Sequence, residues 1–268
     1  MIIAFVFSIL VALFWLGKFR KMDKFEKEPE RLIYFAFFAG AMATIPSVLL
    51  EIPLQMKTPD HPPLLGELFF FFLWVAIVEE TFKFLAVRLT VYRSSQFNEM
   101  MDGMIYMVSA AMGFAATENV GYMMGFGFSV GLSRAILSYL AHLSFSAILG
   151  YYMAKSKIEK NGNWLWMGFA LSISLHWFYN FFIVAGTFHA FGGFFLLGIM
   201  VWVFGLILMF ALTRKAQAVS PFRTVHLLPK RLTRLCQACE KTVSAKASIC
   251  HHCGEPLTLE EEEITLKA

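Results

Sequence analysis

The sequence predicts an all-α polytopic membrane protein with about seven transmembrane helices and a small C-terminal zinc ribbon. Its composition is the first reason: 58% of the 268 residues are hydrophobic and 16% are charged, against about 45–50% and about 25% in soluble domains. The second is a series of apolar stretches, each near the roughly 20 residues that cross a bilayer. The third is that all four cysteines lie after residue 235. Disordered, collagen-like and disulfide-scaffold classes are excluded, and a soluble enzyme is disfavoured.

The apolar stretches define the expected spans. They lie at 2–17, 32–50, 67–90, 103–126, 128–153, 164–185 and 192–212. Basic residues follow the first stretch instead of preceding it, so we interpret it as an uncleaved span and not as a signal peptide. Four prolines between 51 and 66 predict an ordered external turn.

Lysine and arginine are distributed unevenly over the loops between these spans. Of the 23 basic residues, 20 lie in 18–31, 88–101, 154–163 or the tail after 213, and only Lys57 lies in an opposite loop. Cytoplasmic loops are enriched in such residues. We therefore expect a multi-pass protein of the cell membrane, in contact with the lipid bilayer, with its N-terminus outside and its C-terminus in the cytoplasm.

Composition also divides the chain into four expected parts. Residues 1–212 form the membrane domain, 213–235 a basic cytoplasmic linker, 236–256 a cysteine module and 257–268 an acidic tail.

Several spans carry ionisable or amide side chains at bilayer depth. Each ionisable group costs about 2.5–3.5 kcal/mol to insert there and is a functional candidate for that reason. The candidates are Glu79, Glu80, Lys83, Glu118, Asn119, Arg134, His142, His176 and Asn180.

Three of these groups are predicted to lie at one depth. With a rise of 1.5 Å per residue, Glu79 lies roughly 18 Å from the outer end of its span and His142 roughly 21 Å. His176 lies roughly 18 Å from the inner end of its own span. The three spans alternate in direction, so these side chains should meet near the bilayer midplane.

Helical spacing then predicts which of these side chains lie on the same face of a helix. Glu79 and Lys83 are four residues apart and should form an ion pair, whereas Glu80 points about 100° away and is expected to lie free of Lys83. His176 and Asn180 share a face. A carboxylate can act as general base, paired imidazoles can hold a metal or polarise a carbonyl, and an amide can stabilise an oxyanion.

Structural interpretations stay open beside the catalytic one. The Glu79–Lys83 pair alone could tie two spans together. Arg134 lies near the outer end of its span, where it could extend to the interface or pair with Glu118.

At this point the sequence resembles the PrsW family of intramembrane proteases. Four blocks carry the likeness, and their order makes it specific. They are EETFK (79–83), DGMIYMVSAAMGFAATENVGY (102–122), Arg134 followed by AHLSFSAILGYY (141–152), and LHWFYN (175–180).

The resemblance implies a helical membrane endopeptidase that cleaves a membrane-anchored protein near the bilayer, an anti-sigma factor in some members. By position, Glu79 and Glu80 match the family's acidic pair. The motif histidines match His142 and His176, and the accompanying polar positions match Asn180, Glu118 and Asn119. The family is usually described as metal-dependent, which implies a catalytic zinc at the histidines. Activation of water by glutamate alone remains the alternative.

The resulting mechanistic hypothesis gives each group a role. Glu80 activates water while Lys83 holds Glu79, and His142 and His176 bind zinc or polarise the scissile carbonyl.

The cysteines form a separate motif of two Cys-x2-Cys pairs ten residues apart, a spacing typical of a structural zinc site. The expected ligands are Cys236, Cys239, Cys250 and Cys253. A Cys3His site using His251 or His252 is the alternative. The module lacks a clear basic face, so nucleic acid is not the expected partner, and a regulatory docking role with a cytoplasmic partner is favoured.

Two other functions compete with an intramembrane protease. Buried Glu, Lys and His also build ion pathways in proton- or ion-coupled transporters. A non-catalytic membrane receptor signalling through its zinc ribbon is the third hypothesis.

Overall fold

The computed structural model describes residues 1–52, 64–189, 192–223, 228, 232–245, 247–250 and 252–257. Its helices are α1 (Ile2–Arg20), α2 (Glu30–Glu51), α3 (Leu65–Thr90), α4 (Met100–Phe126), α5 (Phe128–Glu159), α6 (Asn163–Phe188) and α7 (Gly192–Ala218). Each predicted span coincides with one of these helices, which confirms the helical fold class. The prolines of the expected external turn lie in 53–63, outside the described residues.

Among the residues that the structure describes, five helices are long and apolar enough to cross a membrane, namely α1, α2, α5, α6 and α7. The other two, α3 and α4, have 26 and 27 residues, or about 39–40 Å of helix, which is longer than the roughly 30 Å hydrocarbon core. They differ in carrying many of the buried ionisable and small polar side chains. The chain is thus a multi-pass helical membrane protein.

Helix α4 lies at the centre of the bundle, and every residue from Met101 to Ala116 is buried. Small residues permit this packing. A Cβ atom on Gly113 would overlap the carbonyl oxygen of Phe37 in α2, and one on Gly103 would overlap that of Gly150 in α5. Close backbone approach at small residues is a common way for membrane helices to associate, and here it fixes α4 against both neighbours.

The C-terminal part begins later than the sequence predicted. Helix α7 continues past Leu212 to Ala218, and Lys215 in its last turn favours the negative end of its dipole. Strands β1 (Thr233–Leu235) and β2 (Thr242–Ser244) then form an antiparallel hairpin in which Arg234 pairs with Val243. This hairpin takes in the last residues of the expected linker. The acidic residues from 258 onward lie outside the described part.

Candidate active site

Helix α3 places three charged side chains inside the bundle. Glu79, Glu80 and Lys83 are 4%, 0% and 0% exposed. Burial of this kind requires every charge to be paired and hydrogen-bonded. The surrounding helices supply those partners.

Lys83 is shared by both carboxylates and an imidazole. Its Nζ atom lies 3.0 Å from Oε2 of Glu79, 2.8 Å from Oε1 of Glu80 and 2.8 Å from Nδ1 of His142. The prediction that Glu80 lies free of Lys83 is therefore wrong. Residues three apart on a helix are also neighbours, and the long lysine side chain reaches both of them.

Glu80 is further engaged on the opposite side. Its Oε1 accepts a hydrogen bond from Nδ1 of His176 at 2.9 Å, and its Oε2 accepts bonds from Ser172 at 2.8 Å and Ser146 at 3.3 Å. Together with Lys83, these donors occupy both oxygens of a fully buried carboxylate. Glu80 is thus placed to orient other groups.

The two histidines face Glu79. Lys83 can only donate, so Nδ1 of His142 accepts and its Nε2 donates to Oε2 of Glu118 at 3.0 Å. In neutral His176, Nδ1 donates to Glu80 and leaves Nε2 as the acceptor. The two accepting nitrogens lie 3.9 and 3.8 Å from Oε2 of Glu79.

Glu79, His142 and His176 therefore form a candidate metal site. One ligand atom from each lies within 4.8 Å of the other two, and all three residues are buried. Two imidazoles and a carboxylate form the ligand set of many catalytic zinc sites. The three side chains thus lie together, although Lys83 must give up its contacts with Glu79 and His142 if a metal binds.

Glu118 and Arg134 support the site from its outer side. An Nη2 atom of Arg134 lies 2.8 Å from Oε1 of Glu118, and the guanidinium stacks over the ring of Tyr122. Of the two alternatives for Arg134, pairing with Glu118 is the one observed. Glu118 thereby links a fixed cation to His142, as carboxylates commonly do for metal-binding histidines.

The two asparagines differ in location. Asn119 is buried away from the cluster, where its side chain donates to Oγ of Ser8 and accepts from Nε of Arg134. Asn180 lies on the wall of a cavity that also contains Glu79 and both histidines. Asn180 is thus placed to contact a bound substrate, whereas Asn119 has a packing role against α1.

This cavity has a volume of about 790 Å³. Its polar wall comprises Thr44, Glu51, Glu79, Thr117, Glu118, Tyr122, Arg134, Ser138, His142, His176, Tyr179 and Asn180. Glu79 is part of this wall and Glu80 is not. The remaining wall is mainly aliphatic and aromatic, a combination typical of ligand-binding cavities.

Sequence reasoning missed some of these groups. Glu51 was assigned to the external loop, but it ends α2, lines the cavity and accepts a hydrogen bond from Ser47 at 2.9 Å. Ser172 went unnoticed although it is the closest hydroxyl to Glu80. Its position four residues before His176, on the same helix face, is a signal that could have identified it.

The four cysteines form a second cluster, at the end of the chain. The Sγ atoms of Cys236 and Cys253 lie 3.8 Å apart, and those of Cys239 and Cys250 lie 3.7 Å apart. Tetrahedral Zn–S bonds of about 2.3 Å would place sulfurs about 3.8 Å apart. The ligand set therefore fits zinc. His252 bonds elsewhere, and His251 lies outside the described residues.

These features define a class: a multi-pass membrane protein whose buried glutamates and histidines border a cavity and have the residue types of a hydrolase. Residues 28–212 match the family described as PrsW family intramembrane metalloprotease. The chain belongs to this family, and it is a protease. The resemblance seen in the sequence is confirmed. The family match supports a protease and does not support the transporter or receptor hypotheses.

Individual relatives agree with this assignment. The chain is 31% identical to Protease PrsW of Geobacillus kaustophilus over 172 residues, which cover 63% of this chain and 75% of that protein. It is 32% identical to Protease PrsW of Clostridioides difficile over 187 residues, covering 67% and 77%. For Protease PrsW of Bacillus subtilis the identity is 28% over 173 residues, covering 63% and 78%. No solved structure matches the chain significantly.

Proposed function

We propose that this chain is an intramembrane metalloendopeptidase that cleaves a membrane-anchored protein at the site formed by Glu79, His142 and His176. The observation that supports this most directly is the convergence of these three ligands on the wall of one cavity. An anti-sigma factor or another regulatory membrane protein is the proposed substrate class.

Each residue of the site then has a proposed role in the reaction. A zinc ion held by Glu79, His142 and His176 would supply a Lewis acid for the attacking water and the scissile carbonyl. Glu79 borders the cavity, and its carboxylate oxygen that does not hold the metal replaces Glu80 as the proposed acceptor of the water's proton. Glu80 holds His176 in the tautomer that leaves Nε2 available. Asn180 is placed to donate its amide N–H to the developing oxyanion.

The cavity also favours one side of approach. Its lining residues lie in the C-terminal halves of α2, α4 and α6 and the N-terminal halves of α3 and α5, except for Glu79, which lies just past the middle of α3. With the N-terminus outside, as the basic residues favour, these halves belong to the outer leaflet. We propose that the substrate enters from the extracytoplasmic side, while the cysteine ribbon forms a separate cytoplasmic module.

The test compares cells expressing the wild type, Glu79→Gln or Glu30→Gln at equal levels by quantitative membrane proteomics. Glu30 is exposed at the start of α2 and serves as the matched control. One or a few single-pass proteins should accumulate intact only with Glu79→Gln and appear as fragments with the other two. Identical fragment patterns in all three strains would overturn the assignment.

A further inference from the structure

The ribbon lies beyond residue 212, where the family match ends, but it contacts the membrane domain. The contacts are with two links on its predicted cytoplasmic side. One is 21–29, between α1 and α2, and the other is 91–99, between α3 and α4. We call these the first link and the second link.

Glu26 of the first link receives two donors from the ribbon. The Nζ atom of Lys241 lies 2.6 Å from Oε1 of Glu26, and Nδ1 of His252 lies 2.5 Å from the same oxygen. Glu26 is only 4% exposed. These two donors engage Oε1 of a deeply buried carboxylate, and charge-assisted bonds of this kind offset part of the cost of its burial.

Gln96 of the second link contacts the same two ribbon residues. Its Oε1 accepts from Nζ of Lys241 at 3.0 Å, and its Nε2 donates to the backbone oxygen of His252 at 3.3 Å. Lys241 and His252 therefore hold both links at once. The ring of Phe222, just beyond α7, stacks on His252 with centroids 4.7 Å apart.

Each cysteine knuckle supplies one of these residues. Lys241 follows Cys239 by two positions, and His252 lies between Cys250 and Cys253. Turns within the knuckles are closed by backbone bonds from Glu240 to Cys236 and from Gly254 to Cys250, at 2.8 and 2.7 Å. Zinc held by the four thiolates would fix both knuckles, and with them the side chains that reach the links.

Carboxyl groups cluster where the ribbon docks. Beside Glu26, the membrane domain buries Asp23, Glu28, Glu99 and Asp102 near the two links. The ribbon brings the charge of Lys241 to Glu26 within this cluster. Its contact with Glu26 is a partly buried ion pair, the kind for which loss of one partner is costly.

We propose that the ribbon is a zinc-dependent intramolecular clamp whose docking partner is the pair of links of its own membrane domain, contacted at Glu26 and Gln96. The second link joins α3, which carries Glu79, to α4, which carries Glu118. Zinc in the ribbon is thereby coupled to the cytoplasmic ends of the helices that build the active site. This inference goes beyond the protease assignment and does not depend on it.

Hydrogen exchange of the full-length, zinc-loaded protein in detergent tests the clamp without measuring cleavage. Lys241→Ala retains all four cysteines and should keep ribbon zinc unchanged, as metal analysis by mass spectrometry would verify. Exchange of the amides in 21–29 and 91–99 should accelerate by about tenfold or more, because a buried charge loses its partner. Lys241→Arg should largely restore protection.

Two further variants complete the test. Glu255→Gln changes an exposed charge of the ribbon away from the contact and should leave both links protected. Cys236→Ser with Cys239→Ser removes ribbon zinc and should deprotect both links together. Unchanged exchange of both links in zinc-loaded Lys241→Ala would overturn the proposal.

Discussion

The Nζ atom of Lys83 lies 2.8 Å from Nδ1 of His142, so an ammonium group of α3 is bonded to an imidazole of α5 inside the bundle. The same ammonium pairs with Glu79 and Glu80. Lys83 is thus the cation shared by two adjacent carboxylates, and it also determines which nitrogen of His142 carries the proton. The charge balance of the cluster and the orientation of the His142 imidazole therefore both depend on Lys83.

Replacing Lys83 by methionine should destabilise the protein strongly. The change leaves Glu79 and Glu80 buried without their shared cation, and removing one partner of a buried ion pair typically costs about 3–5 kcal/mol. We expect a large fall in the thermal unfolding temperature in detergent and loss of substrate cleavage. Both are measurable on the same purified sample.

Lys155→Met is the matched control. Lys155 pairs with Glu159 at 3.7 Å near the end of α5, where the glutamate is 43% exposed, and its ammonium lies over the ring of Trp164. Such a pair contributes about 0–1 kcal/mol and such a cation–π contact about 0.5–1 kcal/mol, so the unfolding temperature should fall much less than in Lys83→Met. Equal effects of the two substitutions would contradict a special role for the buried lysine.

The sequence was sufficient to place Glu79, His142 and His176 together. Rise per residue and alternating span direction determine depth, and both follow from helix geometry alone. Depth does not determine which oxygen meets which donor. The contact of Glu80 with Lys83 could have been predicted from their spacing of three residues on α3. Its bonds from Ser172 and His176 on α6 could not, because a rotation angle about one helix contains no information about another helix.

Glu51 shows a second limit of prediction from the sequence. It lies at the end of a hydrophobic run and directly before a proline-rich segment, a pattern typical of a loop boundary. The α2 helix nevertheless continues to Glu51, which borders the cavity. Only the packing of α2 beside α3 and α4 brings this carboxylate inward, and sequence periodicity does not report how neighbouring helices pack.

The number of bound zinc ions distinguishes the two mechanisms that remain open, which are catalysis with a zinc ion and activation of water by glutamate alone. A chain with one structural and one catalytic site should retain about two zinc ions, and His142→Ala with His176→Ala should reduce this to about one. Cys236→Ser with Cys239→Ser should remove the other. Inductively coupled plasma mass spectrometry of the purified proteins gives the count. A wild-type count of about one that depends only on the cysteines would favour activation of water by glutamate without a metal.

Glu118→Gln should weaken zinc binding at the active site. The substitution removes the charge that accepts from Nε2 of His142 and leaves Arg134 buried without its carboxylate. Loss of such a supporting carboxylate typically reduces metal affinity or activity by about 10–100-fold. Competition with a chelator of known affinity measures the change.

Glu51→Gln controls for charge in the cavity. Glu51 lines the same cavity, and its carboxylate accepts a bond from Ser47. Zinc affinity should stay within about threefold of the wild type, since outer partners matter chiefly where they contact a ligand. Similar losses in both variants would point to the overall charge of the cavity and away from the orientation of His142.

The stability of the end of the bundle that carries the two links should fall as pH rises, and Glu99 is the main reason. Burial, followed by the negative charge of Asp102, raises the pKa of Glu99 to about 8, while a hydrogen bond from Ser220 partly opposes this. Asp23 and Glu26 add further negative charge. A carboxyl group whose pKa is higher in the folded state than in the unfolded state stabilises the fold when protonated.

This contribution is fully present below the unfolded pKa of 4.5 and is lost as pH rises through about 8. Thermal unfolding in detergent between pH 5 and 9 should therefore show a declining midpoint for the wild type. Glu99→Gln, which cannot ionise, should flatten the decline, whereas the exposed control Glu30→Gln should retain it. A slope in Glu99→Gln as steep as in the wild type would assign the pH dependence to another group, with Glu28, whose pKa burial raises to about 7, the next to test.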